Sequence, residues 1–141
     1  MAERAPPRYS QVAVGDELPP LAMPPISRLT LALYCGASGD HNPLHVDQDF
    51  ARAAGLGDVV AHGMLVMAFM GRTLTNWVPQ EAIREFGTRF QAMTRVGDAI
   101  TCTARITEKH GDAHAVSVTV EARDQRGELK AAGEALIALA P

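Results

Sequence analysis

The chain has 141 residues, which is enough for one domain with a real core and too few for two ordinary domains. Hydrophobic residues make up 47% and charged residues 21%, values typical of a folded globular protein and unlike those of a disordered one. The net charge of -3 argues against a nucleic acid as a partner. Aromatic residues are only 5%, so the core is thin, which is consistent with an interface shared between subunits.

Neither the cysteines nor the apolar segments indicate export or a membrane. Cys35 and Cys102 lack the spacing of a metal site or a disulfide framework and suit a reducing compartment. The N-terminus has no apolar core of a signal peptide. The longest apolar stretch, 59–71, contains a histidine and is too short to span a bilayer. We therefore expect a cytoplasmic protein with no membrane partner.

The N-terminal region combines a polar segment with the first predicted elements. Residues 1–10 carry prolines and charges, and we expect a flexible lead-in ahead of a single domain over 11–141. A short strand is predicted over 11–18, where two prolines follow. Ser27 is a suitable N-cap for a helix over 28–37.

A loop and two further helices follow. The segment 40–46 is a loop, because Pro43 would break a regular helix. Asp47 is expected to cap a short helix that ends at Ala54. A longer helix is predicted over 63–77. Its sequence is apolar nearly all the way round, so it needs protein on most sides.

After Pro79 the hydrophobic pattern changes to the two-residue period of strands. Four strands are predicted, with turn signals between them. They lie over 86–92, 100–107, 116–122 and 129–139. One buried helix followed by antiparallel strands predicts an α+β fold, in which the sheet curls around the helix.

The residues able to do chemistry concentrate in the loop, as Asp40, Asn42 and His45. A carboxylate and a histidine five residues apart, turned by a proline, offer a proton acceptor and a group that titrates near neutrality. General acid–base catalysis needs that pairing. The alternative is structural, with Asp40 and Asn42 as turn and cap residues and His45 as a hydrogen-bonding side chain. The spacing alone does not decide between the catalytic and the structural interpretation.

Gly63 opens the predicted buried helix. The first backbone N–H groups of a helix have no internal acceptor and carry positive dipole character. A glycine there lets a ligand approach closely, so Gly63 is a candidate donor to a developing oxyanion. Alternatively, Gly63 only eases close packing where the helix starts.

The loop and the helix start together carry a long, ordered motif. It consists of YCGASGDHNPLH over 34–45 and AHGM over 61–64. The combination resembles the MaoC-like, (R)-specific enoyl-CoA hydratase family, and the similarity in pattern covers most of the chain. The resemblance implies a hot-dog fold, an antiparallel sheet wrapped around one long central helix, which agrees with the fold predicted from periodicity.

The resemblance also implies an activity, the reversible hydration of trans-2-enoyl thioesters to (3R)-3-hydroxyacyl thioesters. No cofactor is expected beyond coenzyme A or an acyl carrier protein as the substrate's carrier. Asp40 and His45 match the catalytic pair that holds and activates water. Asn42 matches a residue that orients the loop, and Gly63 matches the position whose backbone N–H polarises the thioester carbonyl.

Two further positions and the assembly follow from the same resemblance. Gly71 and Leu74 match positions that line the acyl pocket. A homodimer is the expected assembly, with two sheets joined edge to edge, and a heterodimer stays open. An exposed sheet edge and a thin core both favour such pairing.

A metal site was the main alternative for the polar residues. Asp40, His41, His45, Asp47 and His62 are all of metal-ligand types. The proline between His41 and His45 disrupts the helix that would align them, so no metal is predicted. His62 is instead expected to be a structural hydrogen-bonding residue at the helix start.

Three other functions are alternatives to a hydratase. A dehydratase subunit that acts on acyl-carrier-protein substrates, paired with a silent partner, fits the same motif. A non-catalytic acyl-thioester binding protein has no need of both Asp40 and His45. A thioesterase of the same fold usually carries an acid on its central helix, and the segment 63–77 contains no Asp or Glu.

Overall fold

The computed structural model describes residues 5–141, and the first four residues of the predicted lead-in lie outside the described residues. The helices are α1 (Arg28–Ser38), α2 (Gln48–Ala53) and α3 (Gly63–Thr75). The strands are β1 (Leu21–Ala22), β2 (Ile83–Phe90), β3 (Thr101–His110), β4 (Ala115–Arg123) and β5 (Leu129–Ala138). Short 3₁₀ turns lie at Tyr9–Gln11, Pro43–His45 and Gln80–Ala82. None of these helices combines the length and apolar character needed to cross a bilayer.

The five strands form one antiparallel sheet in the order β1-β3-β4-β5-β2. Alternate side chains of β3, β4 and β5 point into the core, as the period-two pattern predicts, and their neighbours point outward. The core-facing residues of β4 are Val116, Val118, Val120 and Ala122, all fully buried. The four strands predicted after Pro79 are therefore confirmed, and the apolar β5 lies inside the sheet with a partner on each side.

The sheet curls around α3, which packs against β2, β3, β4 and β5. One glycine of β5 allows a close approach between β5 and β2. A Cβ at Gly133 would collide with the backbone oxygen of Gly87 and lie 2.6 Å from the hydroxyl of Thr88 on β2. Only a residue without a side chain lets the two strands approach so closely. The predicted α+β class and hot-dog arrangement are confirmed.

The central helix is buried on one side only within this chain. Val66, Met70 and Leu74 are at most 2% exposed and face the sheet. The opposite side is open, and Met64 is 54% exposed. The sequence predicted that protein would cover this helix on most sides. In one copy of the chain only one side is covered, because a single sheet packs against one face of a helix.

The N-terminal region differs from the sequence prediction. The strand predicted over 11–18 is wrong, because Gly15 turns the backbone (φ 95°) and leaves only scattered hydrogen bonds to β3. Strand pairing begins later, in β1. Within the predicted flexible lead-in, the Tyr9 N–H donates to the oxygen of Ala140 (2.7 Å), and Lys109 lies over the Tyr9 ring (4.1 Å). These contacts tie residues near position 9 to the sheet.

Candidate active site

Three local capping interactions set the bounds of α1 and the shape of the loop after it. Ser27 caps the start of α1 as predicted, and Gly39 ends it in the left-handed conformation (φ 74°) that glycine adopts at little cost. Asn42 then caps the following 3₁₀ turn, because its side-chain oxygen accepts the N–H of Leu44 (3.1 Å). The N–H of Asn42 itself donates to the Asp40 carboxylate (3.2 Å). Asn42 thus shapes the loop.

The turn brings His45 back beside Asp40. The Nδ1–H of His45 donates to the backbone oxygen of Val60 (2.7 Å), which leaves Nε2 unprotonated in the neutral ring. That Nε2 lies 3.8 Å from Oδ2 of Asp40, too far for a direct hydrogen bond. The His45 side chain is 12% exposed and that of Asp40 is 50% exposed. The two polar atoms therefore lie close together, with the Asp40 carboxylate half-exposed and the His45 ring mostly buried.

His62 completes this group from the other side. Its ring stacks on that of His45, with centroids 3.7 Å apart and planes 22° apart, and the Tyr34 ring contacts it edge-on. Its Nε2 lies 3.2 Å from the backbone oxygen of Asp40 and 3.5 Å from Sγ of Cys35. The predicted hydrogen-bonding role is therefore confirmed. Its contact with both members of the pair was missed, although its place directly before Gly63 was a usable signal.

Burial and nearby charges shift the pKa values of His62 and Tyr34. His62 is 1% exposed, and this burial lowers its pKa. The hydrogen bond with the Asp40 backbone opposes the shift, and the nearby His45 adds to it. The pKa of Tyr34 is raised, first by burial and then by the negative charge of Asp40. Both rings are therefore held in their neutral forms at neutral pH.

Gly63 lies where α3 begins, directly after the stacked histidine. As the first helical residue its N–H has no intrahelical acceptor, and the His62 side chain does not cap the helix. A cavity of about 440 Å³ opens beside it. Its lining residues are Ala61, Gly63, Val66, Phe90, Gln91, Ala92, Met93, Thr94 and Lys130. A Cβ on Gly63 would lie 3.1 Å from the Phe90 ring, so the glycine lets this ring pack close to the helix start.

The structure does not bring Gly71 and Leu74 to this cavity. Leu74 is fully buried in the core. Gly71 lies two turns along α3 from Gly63, and a Cβ there would meet the Phe86 ring at 3.5 Å. Neither residue lines the cavity at Gly63. Their predicted place in an acyl pocket stays a prediction.

The residues weighed as metal ligands separate into two groups. Ligand atoms of Asp40, His45 and His62 lie within 4.8 Å of one another. The stacked, nearly parallel rings point their nitrogen lone pairs along separate planes, which does not suit a shared ion. His41 instead donates Nδ1–H to the oxygen of Gly39 (3.1 Å), and Asp47 caps α2. The predicted absence of a metal stays a prediction.

Comparison with known proteins identifies the family. The family described as MaoC like domain matches residues 11–126. An (R)-specific enoyl-CoA hydratase of Aeromonas caviae is 29% identical over 111 residues, which cover 77% of this chain and 83% of that protein. One from Rhodospirillum rubrum is 33% identical over 84 residues, and this match spans 58% of each chain.

A solved structure shows the same fold and points to the same group of proteins. R-hydratase PhaJ1 from Pseudomonas aeruginosa superposes with a TM-score of 0.84 at 25% identity, over 94% of this chain and 85% of that one. The family match covers the central helix and β1 to β4 and ends before β5. The chain therefore belongs to the MaoC-like family of hydratases and dehydratases, which are hydro-lyases.

Proposed function

We propose that this chain catalyses the reversible hydration of trans-2-enoyl thioesters to (3R)-3-hydroxyacyl thioesters. The observation that carries the proposal is the pair of Asp40 and His45, whose facing atoms are 3.8 Å apart. This gap is too wide for a direct hydrogen bond but suits one water molecule that bonds to both groups. The substrate's carrier is coenzyme A or an acyl carrier protein, and the reaction needs no further cofactor.

The pair supplies the proton transfers of the reaction. When the water oxygen bonds to C3, one water proton passes to the Asp40–His45 pair. The electrons of the C2–C3 double bond move toward C2 and the thioester oxygen, and a proton from the pair then reaches C2. Dehydration is the same sequence in reverse. Since His45 keeps Nδ1–H on Val60, its Nε2 is the ring atom available for these transfers.

The helix start supplies the second part of the site. Negative charge develops on the thioester oxygen during addition, and a fixed donor aimed at that oxygen lowers the barrier. The N–H of Gly63 is such a donor, and the cavity beside it gives room for the thioester. Asn42 contributes indirectly, because its two hydrogen bonds hold the loop that carries Asp40 and His45.

A stereospecific hydration assay over enoyl-CoA substrates of increasing chain length tests the proposal, with the purified chain alone. We expect Asp40→Asn and His45→Gln each to lower kcat by about 10²-fold or more. The double variant should be little worse than the poorer single one, because the two groups act as a unit. Asp47→Asn is the matched control, since asparagine still caps α2 and activity should not change.

Two outcomes of this assay contradict the proposal. No hydration of any chain length by the folded chain would exclude it for the isolated protein. Near-normal turnover by Asp40→Asn would exclude the mechanism. Activity that appears only on co-expression with a second, different chain, or only with acyl-carrier-protein substrates, would instead favour the heterodimeric dehydratase.

We infer that the working form is a homodimer. Among the described strands β2 lies at one edge of the sheet and pairs only with β5, and a sheet edge suits pairing with a second copy. Large apolar side chains lie exposed beside that edge and on the open side of α3, among them Met64 (54%), Phe90 (51%) and Met93 (54%). Sedimentation at micromolar concentration should show a dimer, and a stable monomer would contradict this inference.

The two free cysteines support a reducing, cytoplasmic setting.

A further inference from the structure

We propose that His62 is a positioning residue, which holds the His45 ring and the Asp40 backbone in the geometry that the pair needs. This inference rests on the proposed function and adds a third residue to it. The observation is a double contact: the ring of His62 lies flat on that of His45 at 3.7 Å, and its Nε2 lies 3.2 Å from the oxygen of Asp40. No other residue of the described chain is placed to hold both groups in this way.

The hydrogen-bond pattern assigns the protonated nitrogen of His62. The nearest partner of Nε2 on the Asp40 side is a carbonyl oxygen, which can only accept, so Nε2 carries the hydrogen and donates. The other nitrogen, Nδ1, is buried and has no hydrogen-bond partner among the described residues. With the hydrogen on Nδ1 instead, a buried donor would be left unpaired and two lone pairs would face each other. The Nε2–H form is therefore the stable one.

The surroundings keep this ring uncharged. The titratable groups that contact it are Tyr34 and Cys35 from α1 and Asp40 and His45 from the loop. Only Asp40 favours a positive charge, and it presents its backbone oxygen to His62 while its half-exposed carboxylate faces His45. Burial and the neighbouring His45 both lower the pKa of His62. A neutral His62 places no second positive charge beside His45 when the Asp40–His45 pair takes up the water proton in the proposed reaction.

The stack supplies a restraint that the other contacts of His45 do not. The bond from Nδ1–H to Val60 fixes one point of the imidazole, but the ring can still rotate about that direction. A flat ring beneath it fixes the plane and hence the direction of Nε2 toward Asp40. A misplacement of about 1 Å at a reacting group can cost about 10²-fold in rate. Loss of the stack should thus lower kcat while substrate binding changes little.

Two substitutions separate the contacts of His62. His62→Gln keeps an N–H donor for the Asp40 oxygen but removes the ring, and we expect kcat to fall by about 10- to 10²-fold, with KM within about threefold. His62→Phe keeps the ring but removes the donor, and we expect it to recover a large part of that loss. His110→Gln, at a half-buried histidine of β3 that bonds Ser117, is the matched control and should keep full activity.

Nuclear magnetic resonance of the histidine rings gives a readout that does not depend on activity. In the wild-type chain we expect neutral His62 with hydrogen on Nε2, His45 with hydrogen on Nδ1, and an upfield-shifted His45 ring proton from the stack. His62→Gln should lose that upfield shift and His62→Phe should keep it. If a variant does not fold, the wild-type spectra alone still test the stacking of the His45 ring and the protonation of His62.

The kinetic and NMR measurements together distinguish failure of this inference from failure of the proposed function. Turnover with an unshifted His45 ring, a charged His62 near neutral pH, or wild-type kcat in folded His62→Gln would each overturn the positioning role. A stacked His45 ring in a folded chain that hydrates no thioester would overturn the proposed function and leave the positioning of the ring intact.

Discussion

Lys130 is the buried cation on which the turns beside the site cavity depend, and its removal makes a demanding test of the structure. The side chain is 3% exposed, and Asp98 and Asp124 are also buried. Its Nζ lies 3.5 Å from a carboxylate oxygen of each and 2.9 Å from that of Glu128. It also donates to the backbone oxygen of Met93, a residue that lines the cavity at Gly63 (2.9 Å).

The expected magnitude follows from what Lys130→Met would leave behind. Methionine fills the same volume but leaves two buried carboxylates without their ammonium, and breaking a buried ion pair costs about 3–5 kcal/mol. Arg126 still donates to Asp98 (3.0 Å) and Asp124 (2.6 Å), which places the loss near the lower end, at about 3 kcal/mol. In a chain of this size that corresponds to a fall in Tm of about 10 °C.

Urea unfolding followed by circular dichroism, at one fixed protein concentration, measures the loss. The matched control is Arg105→Met on β3, which removes the same charge from an exposed pair with Glu17 (2.6 Å, side chains 59% and 70% exposed). That pair should contribute less than about 1 kcal/mol. Equal effects of Lys130→Met and Arg105→Met, both below about 1 kcal/mol, would refute the reasoning from burial.

Three further outcomes are expected. The pKa of Asp124 falls to about 2 because hydrogen bonds from Arg126 and from backbone N–H groups outweigh the opposing effect of burial. Its stabilising contribution is therefore complete above the ordinary value of 3.8 and lost as the pH falls toward 2, and acid unfolding curves of wild type and Asp124→Asn should converge there. Gly133→Ala should destabilise the sheet by at least about 2 kcal/mol in urea unfolding, whereas Gly87→Ala, where a Cβ meets nothing within 4 Å, should not. Gly71→Leu should reduce hydration of long acyl chains more than that of a four-carbon substrate, and an equal loss on both would contradict a pocket along α3.

Much of the fold could be predicted from local sequence because the determining interactions are local. The caps at Ser27 and Asp47 act within three residues of the helices that they begin. The alternation along 116–122 assigns each side chain to one face of a strand without reference to its partners. The strand predicted over 11–18 failed for the converse reason, since pairing depends on a partner strand and on the turn at Gly15.

The candidate site was predictable where the chain itself brings residues together. Asp40 and His45 are five residues apart in one tight turn, so their proximity follows from Pro43 and the cap at Asn42. The stacked His62 comes from 17 positions beyond His45 (62 minus 45), and its contact depends on how the start of α3 packs on α1. No local pattern encodes that approach.

The sequence by itself determined the helices, the strand alternation and the polar loop, since each depends on residues a few positions apart. Lys130 illustrates what only the tertiary structure decided. It is one charge in an apolar strand, and Asp98 and Asp124 are ordinary turn residues in their own segments. The hairpin turn before β5 brings Asp124 near Lys130, and the turn at Asp98 reaches the same ammonium group only through tertiary packing. The energy of such a cluster depends on long-range packing, because only packing removes water from all three charges at once.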